Sequence, residues 1–285
     1  MVIGRLDAYL ESLLDDVWPG IGARIGLAAS LGFPWADIST AFVRLEGRRP
    51  IAHVGLIEIP MVIAGGRRAV GGVHAVCTDP GRRGQGHCRA LMEDALAACR
   101  GRYETLVLYT AIPELYARFG FRRVAEHRFV RRLGAPASAA GPAPRRLSGE
   151  STGDVALLRR LLASRAPVSS RLGVLGPPAL FVLAEVFATG GLARLHYHED
   201  LDVVTVHEIA GGTLRLLDVV GASIPPLSAL LERVGAGVDT VVCEFVPDAL
   251  GGGFEAEPAG QGDLMVRGEL AVEGTPFAVP PLARC

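Results

Sequence analysis

The segment from residue 70 to residue 89, VGGVHAVCTDPGRRGQGHCR, constrains the fold of this chain more than any other feature. An apolar run ends at Thr78, a Pro-Gly break follows, and two arginines and two glycines then lead directly into a helical pattern. A loop of this kind can direct backbone N–H groups and cationic side chains at a phosphate, beside the positive end of the helix dipole. The segment therefore predicts a strand–loop–helix unit that holds a pyrophosphate-bearing cofactor.

The composition is typical of a soluble globular protein, with 49% hydrophobic and 21% charged residues. A net charge of −1 gives no overall preference for nucleic acid or for an anionic membrane surface. No apolar run approaches the ~20 residues of a membrane span, and the acidic N-terminus is unlike a secretory signal. The five cysteines are odd in number and form no CxxC pair, which favours free thiols and a cytoplasmic location.

Residues 134–144, GAPASAAGPAP, divide the chain into two parts of similar size. This stretch has no hydrophobic periodicity and is rich in Pro, Ala and Gly, which is typical of a linker. With 285 residues the chain is long enough for two ordinary domains. We therefore predict a first domain at 1–133, a linker at 134–149 and a second domain at 150–285.

The first part predicts alternating helices and strands, which together indicate a mixed α/β layer. Predicted helices cover residues 6–17, 86–99 and 114–119, and predicted strands cover 40–45, 51–63, 70–78, 105–109 and 121–129. The second part predicts an α+β unit with an antiparallel sheet. Its predicted helices cover 154–164 and 226–234, and its predicted strands cover 180–187, 192–198, 203–209, 213–220 and 238–246.

Two motifs of the first part resemble those of the GCN5-related N-acetyltransferases (GNATs). Residues 83–88, RGQGHC, resemble that family's R/Q-x-x-G-x-G/A signature and stand between a predicted strand and a predicted helix. Residues 115–121, LYARFGF, resemble its Y-x-R-F-G-F/Y segment. A Gly-rich turn alone also opens dinucleotide-binding folds, so the two motifs in this order carry the resemblance.

Within that family the chain is most similar to the multi-domain enhanced-intracellular-survival branch. The similarity lies in the P-x-x-R start of the loop, the Arg-Ala-Leu-Met that follows the signature, and the Tyr-x-Arg-Phe-Gly segment. The resemblance implies an α/β GNAT fold at 1–133, with a mixed and mostly antiparallel sheet flanked by helices. It further implies a degenerate GNAT-like α+β domain at 150–285.

The resemblance also implies acetyl-CoA as the cofactor. Backbone N–H groups of the loop would hold the pyrophosphate, and Gly84 and Gly86 would allow its close approach because they lack a Cβ. Arginines at the loop would add charge-assisted hydrogen bonds. The predicted cofactor-binding residues are Ala75, Val76, Cys77, Thr78, Arg82, Arg83, Gly84, Gln85, Gly86, His87, Cys88 and Arg89. No metal site is predicted.

By the same resemblance, the Val76 backbone N–H would polarise the acetyl carbonyl. Tyr116 would protonate the departing thiolate, although a ring packed at a helix–sheet edge also explains it. The general base is left open among Glu58, His53 and His74, which lie on or beside the predicted cofactor strand. The terminal carboxylate of Cys285 is a further candidate.

These inferences predict a cytoplasmic N-acetyltransferase in which a primary amine attacks acetyl-CoA directly. The acceptor would be a small-molecule amine or a lysine-like side chain, and neither nucleic acid nor membrane is expected as a partner. The alternative is a non-catalytic acyl-CoA-binding sensor whose second domain binds a partner. Homo-oligomers through that second domain are compatible with the enzyme.

Overall fold

The computed structural model describes residues 2–4, 8–260 and 264–285. Seven α-helices lie in those residues: α1 (Ala8–Val17), α2 (Ile21–Ser30), α3 (His87–Cys99), α4 (Pro113–Ala117), α5 (Thr152–Ala163), α6 (Pro178–Thr189) and α7 (Leu227–Val234). The start of the helix predicted at 6–17 lies outside the described residues. A bilayer-spanning helix is not found in the described part of the chain.

Fifteen strands lie in the same residues. They are β1 (Val2–Gly4), β2 (Ser39–Glu46), β3 (Arg49–Ile63), β4 (Gly66–Thr78), β5 (Thr105–Tyr109), β6 (Arg122–Arg123), β7 (His127–Arg132), β8 (Arg145–Arg146), β9 (Leu172–Val174), β10 (Leu195–His198), β11 (Val203–Ala210), β12 (Thr213–Val220), β13 (Thr240–Cys243), β14 (Glu255–Pro258) and β15 (Leu264–Gly268).

Two mixed sheets form the scaffold. The first has the strand order β1-β2-β3-β4-β5-β15-β6, with β9 added beside β3, and the second has the order β14-β7-β13-β12-β11-β10-β8. Each contains one parallel pair, β4–β5 in the first and β12–β13 in the second. The mixed and mostly antiparallel sheets flanked by helices confirm the predicted fold class, while the parallel β12–β13 pair is a departure from the antiparallel sheet expected in the second part.

The two sheets exchange strands. Strand β7 follows the first-sheet strand β6 in sequence but pairs with β13 and β14 of the second sheet. Strand β15 comes from the second part of the chain, yet it lies between β5 and β6 in the first sheet. The single strand predicted at 121–129 was therefore wrong: it is two strands, β6 and β7, in different sheets. Each sheet therefore contains strands from both sides of the predicted linker.

The strand predicted at residues 180–187 was also wrong, because this segment belongs to helix α6. Its residues are apolar on all sides and buried, from Ala179 through Leu183, so the sequence shows no helical periodicity. The helix begins at Pro178 and ends at Gly190, which adopts φ 75° as a left-handed cap. Helix α6 packs against α2, an element the sequence reasoning did not predict.

Strand β3 separates two hydrophobic cores. Its residues Ala52, Val54 and Leu56 face α3 and join one core, whereas Ile57 and Ile59 join the other core with α1 and α2. Side chains alternate between the two faces of a strand, so even-numbered and odd-numbered residues of β3 face different cores. This assignment decides which of the candidate bases can face an acceptor.

Candidate active site

The loop between β4 and α3 is built by short local interactions. Asp79 accepts the backbone N–H of Gly81 at 2.8 Å and pairs with Arg49 at 2.7 Å. Gly84 and Gly86 adopt φ 75° and 81°, a conformation that side-chain-bearing residues rarely adopt. Helix α3 then begins at His87 without a side-chain cap from Gly86. Its first N–H groups are therefore available to an anion at this end of the helix.

A cleft of about 670 Å³, here called the loop cleft, lies beside this segment. Ten of the twelve predicted cofactor-binding residues line it: Val76, Cys77, Thr78, Arg82, Arg83, Gly84, Gly86, His87, Cys88 and Arg89. Ala75 lines a neighbouring cavity instead, and Gln85 belongs to neither lining. The structure thus brings most of this set together around one cleft.

Positive charge surrounds the loop cleft. Arg82 is paired with Glu46 at 2.6 Å, and Arg89 lies 3.6 Å from Glu93. Arg118, which the sequence reasoning assigned no site role, also lines the cleft. Thr78 contributes a different feature: its buried Oγ1 has no hydrogen-bond partner among the described residues. A ligand with phosphate or amide groups could satisfy these donors and charges.

Strand β4 is distorted where it borders the loop cleft. Its register against β3 shifts between His53 and Gly55, and Ala75 adopts the left-handed φ 48°. The His53 Nδ1–H donates to the Ala75 carbonyl oxygen at 2.7 Å and holds this bulge in place. In the described residues, β4 pairs with β5 at Gly71 and Gly72 alone, so the later part of β4 has an open edge.

The second cavity, here called the apolar pocket, lies on the other side of the bulge and has a volume of about 430 Å³. Its walls come from α1, α2, α6, β4 and the last residues of the chain. The lining residues are Leu14, Trp18, Pro19, Ile21, Arg24, Ile25, Trp35, His74, Ala75, Leu180, Leu183, Ala184, Phe187, Arg284 and Cys285. Trp18 lines both cavities, which therefore meet at the Ala75–Val76 bulge.

Two of the candidate bases, His53 and His74, lie on the pocket side of the sheet. Burial lowers the pKa of His53 to about 4 and holds the pKa of His74 well below its usual range, with the nearby His53 adding to the second effect. His74 Nε2 lies 2.9 Å from Ser39 Oγ, and its ring meets Trp35 edge-on at 4.5 Å. Its buried Nδ1 has no partner among the described residues. Both rings are therefore neutral at pH 7.

Glu58 lies on the opposite side of the sheet and is not brought together with the other predicted site residues. As an even-numbered residue of β3 it shares the face of Leu56, which packs with α3. Its carboxylate accepts hydrogen bonds from Arg102 at 3.0 Å and Tyr103 at 3.1 Å. Alternation along β3 predicts which residues share a face with Glu58, but it does not predict which face adjoins the pocket. Cys285, by contrast, lies in the pocket lining.

Tyr116 is buried and does not belong to the lining of the loop cleft, although Leu115 and Phe119 of the same segment do. Its ring packs edge-on against Phe121, with centroids 6.4 Å apart. Burial, with a smaller contribution from the nearby Cys88 and Cys77 thiols, raises the pKa of Tyr116 to about 12. The phenol is therefore protonated and can donate a hydrogen bond at neutral pH.

The sequence reasoning missed most of the apolar pocket. Trp18, Trp35 and Phe187 come from three separate segments and carry no motif. The length of chain between them leaves no local signal that could have grouped them. The amphipathic pattern of α1 was the single available hint, since Leu14 lies on its predicted apolar face.

Comparisons with known proteins agree with this geometry. Residues 33–124 match the sequence model of an acetyltransferase (GNAT) domain. The match includes both predicted motifs, from strand β2 through Phe121 and beyond. A comparison with curated protein sequences finds no match.

The fold is similar to those of several solved proteins. A conserved protein of unknown function from Enterococcus faecalis V583, described as a probable N-acyltransferase, aligns with TM-score 0.58 and 12% identity over 95% of this chain and 73% of its own. A GCN5-related N-acetyltransferase from Kribbella flavida aligns with TM-score 0.53 and 21% identity over 94% and 70%. Eis1 from Mycobacterium abscessus aligns with TM-score 0.52 and 16% identity over 95% and 74%.

Residues 33–124 thus match a GNAT acetyltransferase domain, and the fold of nearly the whole chain is similar to that of Eis1 from Mycobacterium abscessus. This confirms the predicted family resemblance and the N-acetyltransferase class. Acetyl-CoA is the acyl donor of that class.

Proposed function

We propose that this protein transfers the acetyl group of acetyl-CoA to a primary amine that attacks the thioester directly. One observation carries the proposal: the loop cleft and the apolar pocket meet at the bulge of β4. Val76 lines the first cavity, Ala75 lines the second, and Trp18 lines both. A donor in one cavity and an acceptor in the other would bring their reacting atoms together at this point.

The loop cleft suits a donor with a pyrophosphate group. An ideal Cβ built on Gly84 or Gly86 meets no atom within 4 Å, so the space above both glycines is open. The uncapped start of α3 supplies backbone N–H donors, and Arg83 and Arg118 supply charge. When bound, acetyl-CoA supplies the thioester whose acetyl group is transferred.

The bulge would position that acetyl group. Strand β4 leaves β5 after Gly72, and its open edge can pair with an extended, amide-containing chain. The Val76 N–H would then polarise the acetyl carbonyl, because the bulge re-aims the backbone at this position. His53 contributes indirectly by holding the Ala75 carbonyl, so it is a positioning residue.

Direct attack is favoured because no thiol of the two cavities is activated. Burial raises the pKa of Cys77 and Cys285 to about 12, and it also raises the pKa of Cys88. A thiol attacks as its thiolate, so cysteines with raised pKa values are poor acyl carriers. Tyr116 would donate a hydrogen bond to the sulfur that leaves.

His74 is the group best placed to accept a hydrogen bond from the incoming amine. It lines the apolar pocket beside Ala75, and its Nδ1 has no partner among the described residues. Glu58 would have to act from the other side of the sheet. Of the candidate bases we therefore favour His74. It would orient an amine that enters the pocket already unprotonated.

Calorimetric titration with acetyl-CoA tests the proposal, with the wild type beside Gly86→Asp. The variant adds a negative charge at the start of α3 and strains a residue with φ 81°, so binding should be lost. Gly101→Asp is a matched control, because Gly101 has φ 72° and open space around its Cβ but lies beyond the far end of α3. It should bind as the wild type does.

Release of free thiol with a panel of amines then separates the enzyme from a sensor. Amine-dependent thiol release by the wild type supports transfer. Binding without thiol release from any amine would contradict the proposal and leave the non-catalytic acyl-CoA sensor. Equal binding by the wild type and Gly86→Asp would show that the loop does not hold the donor.

A further inference from the structure

The apolar pocket has an unusual charge balance for a site that receives an amine. Arg24 and Arg284 are the charged side chains of its lining, and no carboxylate side chain belongs to that lining. His74 adds no charge because burial lowers its pKa. The side chains of the pocket thus form an apolar cavity with positive charge at its edge.

The two arginines differ in how far their charge is balanced. Arg284 lies 3.4 Å from the buried carboxylate of Glu126, which also accepts the Val279 N–H at 2.8 Å. Arg24 has no carboxylate partner in the described part of the chain; its guanidinium stacks on the Phe187 ring, 5.9 Å from the centroid. Arg24 is therefore an uncompensated cation held against an aromatic wall of the pocket.

This charge balance excludes some acceptors and favours others. A polycationic amine would have to bury ammonium groups among apolar side chains, close to guanidinium groups and without a carboxylate side chain. An apolar amine with its own carboxylate would bury its body against Leu180, Leu183 and Phe187 and place the carboxylate at Arg24. Burial of the amine beside neutral His74 would also favour its unprotonated, nucleophilic form.

We propose that the acceptor is an apolar amine that carries a carboxylate, such as a hydrophobic amino acid or an aminoalkyl aromatic acid. This identity of the acceptor rests on the function proposed above. The reaction would form an amide bond at the amine and leave the carboxylate free, with coenzyme A thiol as the other product. The amine proton leaves to solvent or to the departing thiolate.

Tryptophan fluorescence can test pocket occupancy without turnover. The chain has two tryptophans, Trp18 and Trp35, and both line the apolar pocket. Two matched pairs serve as probes: phenylalanine with phenethylamine, and 4-(aminomethyl)benzoate with benzylamine. Spermidine serves as the polycation. We expect at least one acid to bind about tenfold more tightly than its decarboxylated partner, as one added charge-assisted contact requires.

Arg24→Gln should abolish the preference for the acid over its decarboxylated partner, while the affinity for phenethylamine and benzylamine stays the same. Arg159→Gln is the matched control, since Arg159 also stacks on an aromatic ring, that of Phe33 at 5.2 Å, but lines a separate surface groove. It should keep the preference. Equal binding within both pairs, tighter binding of spermidine, or an unchanged preference in Arg24→Gln would overturn the proposal.

The two proposals fail in different ways. Acetyl-CoA binding together with acetylation of spermidine but neither acid would leave the enzyme function standing and remove this acceptor class. A carboxylate preference in fluorescence without acetyl-CoA binding or thiol release would instead remove the enzyme function, and with it the assignment of the pocket ligand as an acceptor.

Discussion

The substitution Tyr116→Phe tests the chemistry of the site most directly, because it removes one hydroxyl and keeps the ring. The phenyl ring would retain its contact with Phe121. In the described residues the hydroxyl has no protein hydrogen-bond partner to lose, so we expect the melting temperature to be unchanged. Any loss of turnover would then report on the reaction alone.

The size of the effect follows from the raised pKa of Tyr116. At about 12, it lies roughly 3.5 units above that of an ordinary thiol, so complete proton transfer to the thiolate would be uphill by about 5 kcal/mol. Tyr116 should therefore act mainly by donating a hydrogen bond to the developing thiolate. A hydrogen bond to a charged acceptor contributes about 1.5–3 kcal/mol, which corresponds to a fall in kcat of roughly 10- to 150-fold.

Steady-state kinetics with saturating acceptor would measure this fall, and calorimetry would show unchanged acetyl-CoA affinity. The wild-type kcat should also show no alkaline decline from Tyr116 up to about pH 10, because the phenol stays protonated. Tyr103→Phe is the matched control: it removes a hydroxyl that binds Glu58, on the other face of the sheet, and should keep wild-type kcat. Wild-type kcat in Tyr116→Phe would refute the role of the hydroxyl, and a loss confined to KM would show that it acts in binding.

Two further predictions concern buried histidines. In Gly55→Ala the new Cβ would lie 2.1 Å from His74 Cε1, so the His74 ring must move. We expect the protein to be destabilised by about 1–3 kcal/mol and to lose acceptor turnover while it still binds acetyl-CoA. The control variant Gly26→Ala, whose new Cβ lies in open space on α2, should fold and turn over normally. A variant that keeps wild-type turnover would contradict the placement of His74. Burial lowers the pKa of His198 to about 4 and that of His207 to about 3. Below pH 6.5 the unfolded chain therefore binds more protons than the folded chain, and the folded state becomes less stable as the pH drops. The free energy of unfolding, measured with urea, should fall by about 2 kcal/mol per histidine between pH 7 and pH 5. The free energy of unfolding of His207→Gln should fall less than that of the wild type between pH 7 and pH 5. Equal falls in the two proteins would show that His207 does not contribute.

The loop and its helix could be predicted from sequence because their signals are local. Gly84 and Gly86 mark the backbone positions with positive φ, and the helical period begins directly after them. Helix α6 could not be predicted by periodicity, since a segment buried on all sides has no polar face to set the phase. Pro178 and Gly190 were the remaining signals for its two ends.

The site was predictable on the donor side alone. Residues that hold the donor come from one continuous loop, whereas the pocket joins Trp18, Trp35 and Phe187 through tertiary packing. Glu58 illustrates the same limit. Alternation along β3 fixes which residues share its face, but only the packing of α3 shows that this face points away from the pocket.

The exchange of strands between the two sheets has a consequence for how the chain is made. Strand β5 pairs with β15, whose last residue, Gly268, lies more than 150 positions later in the sequence. A ribosome that has synthesised the loop, α3 and the whole acetyltransferase domain has therefore not yet supplied the strand that closes the sheet beneath them. Such distant pairing slows folding, and it delays completion of this sheet until Gly268 has been synthesised.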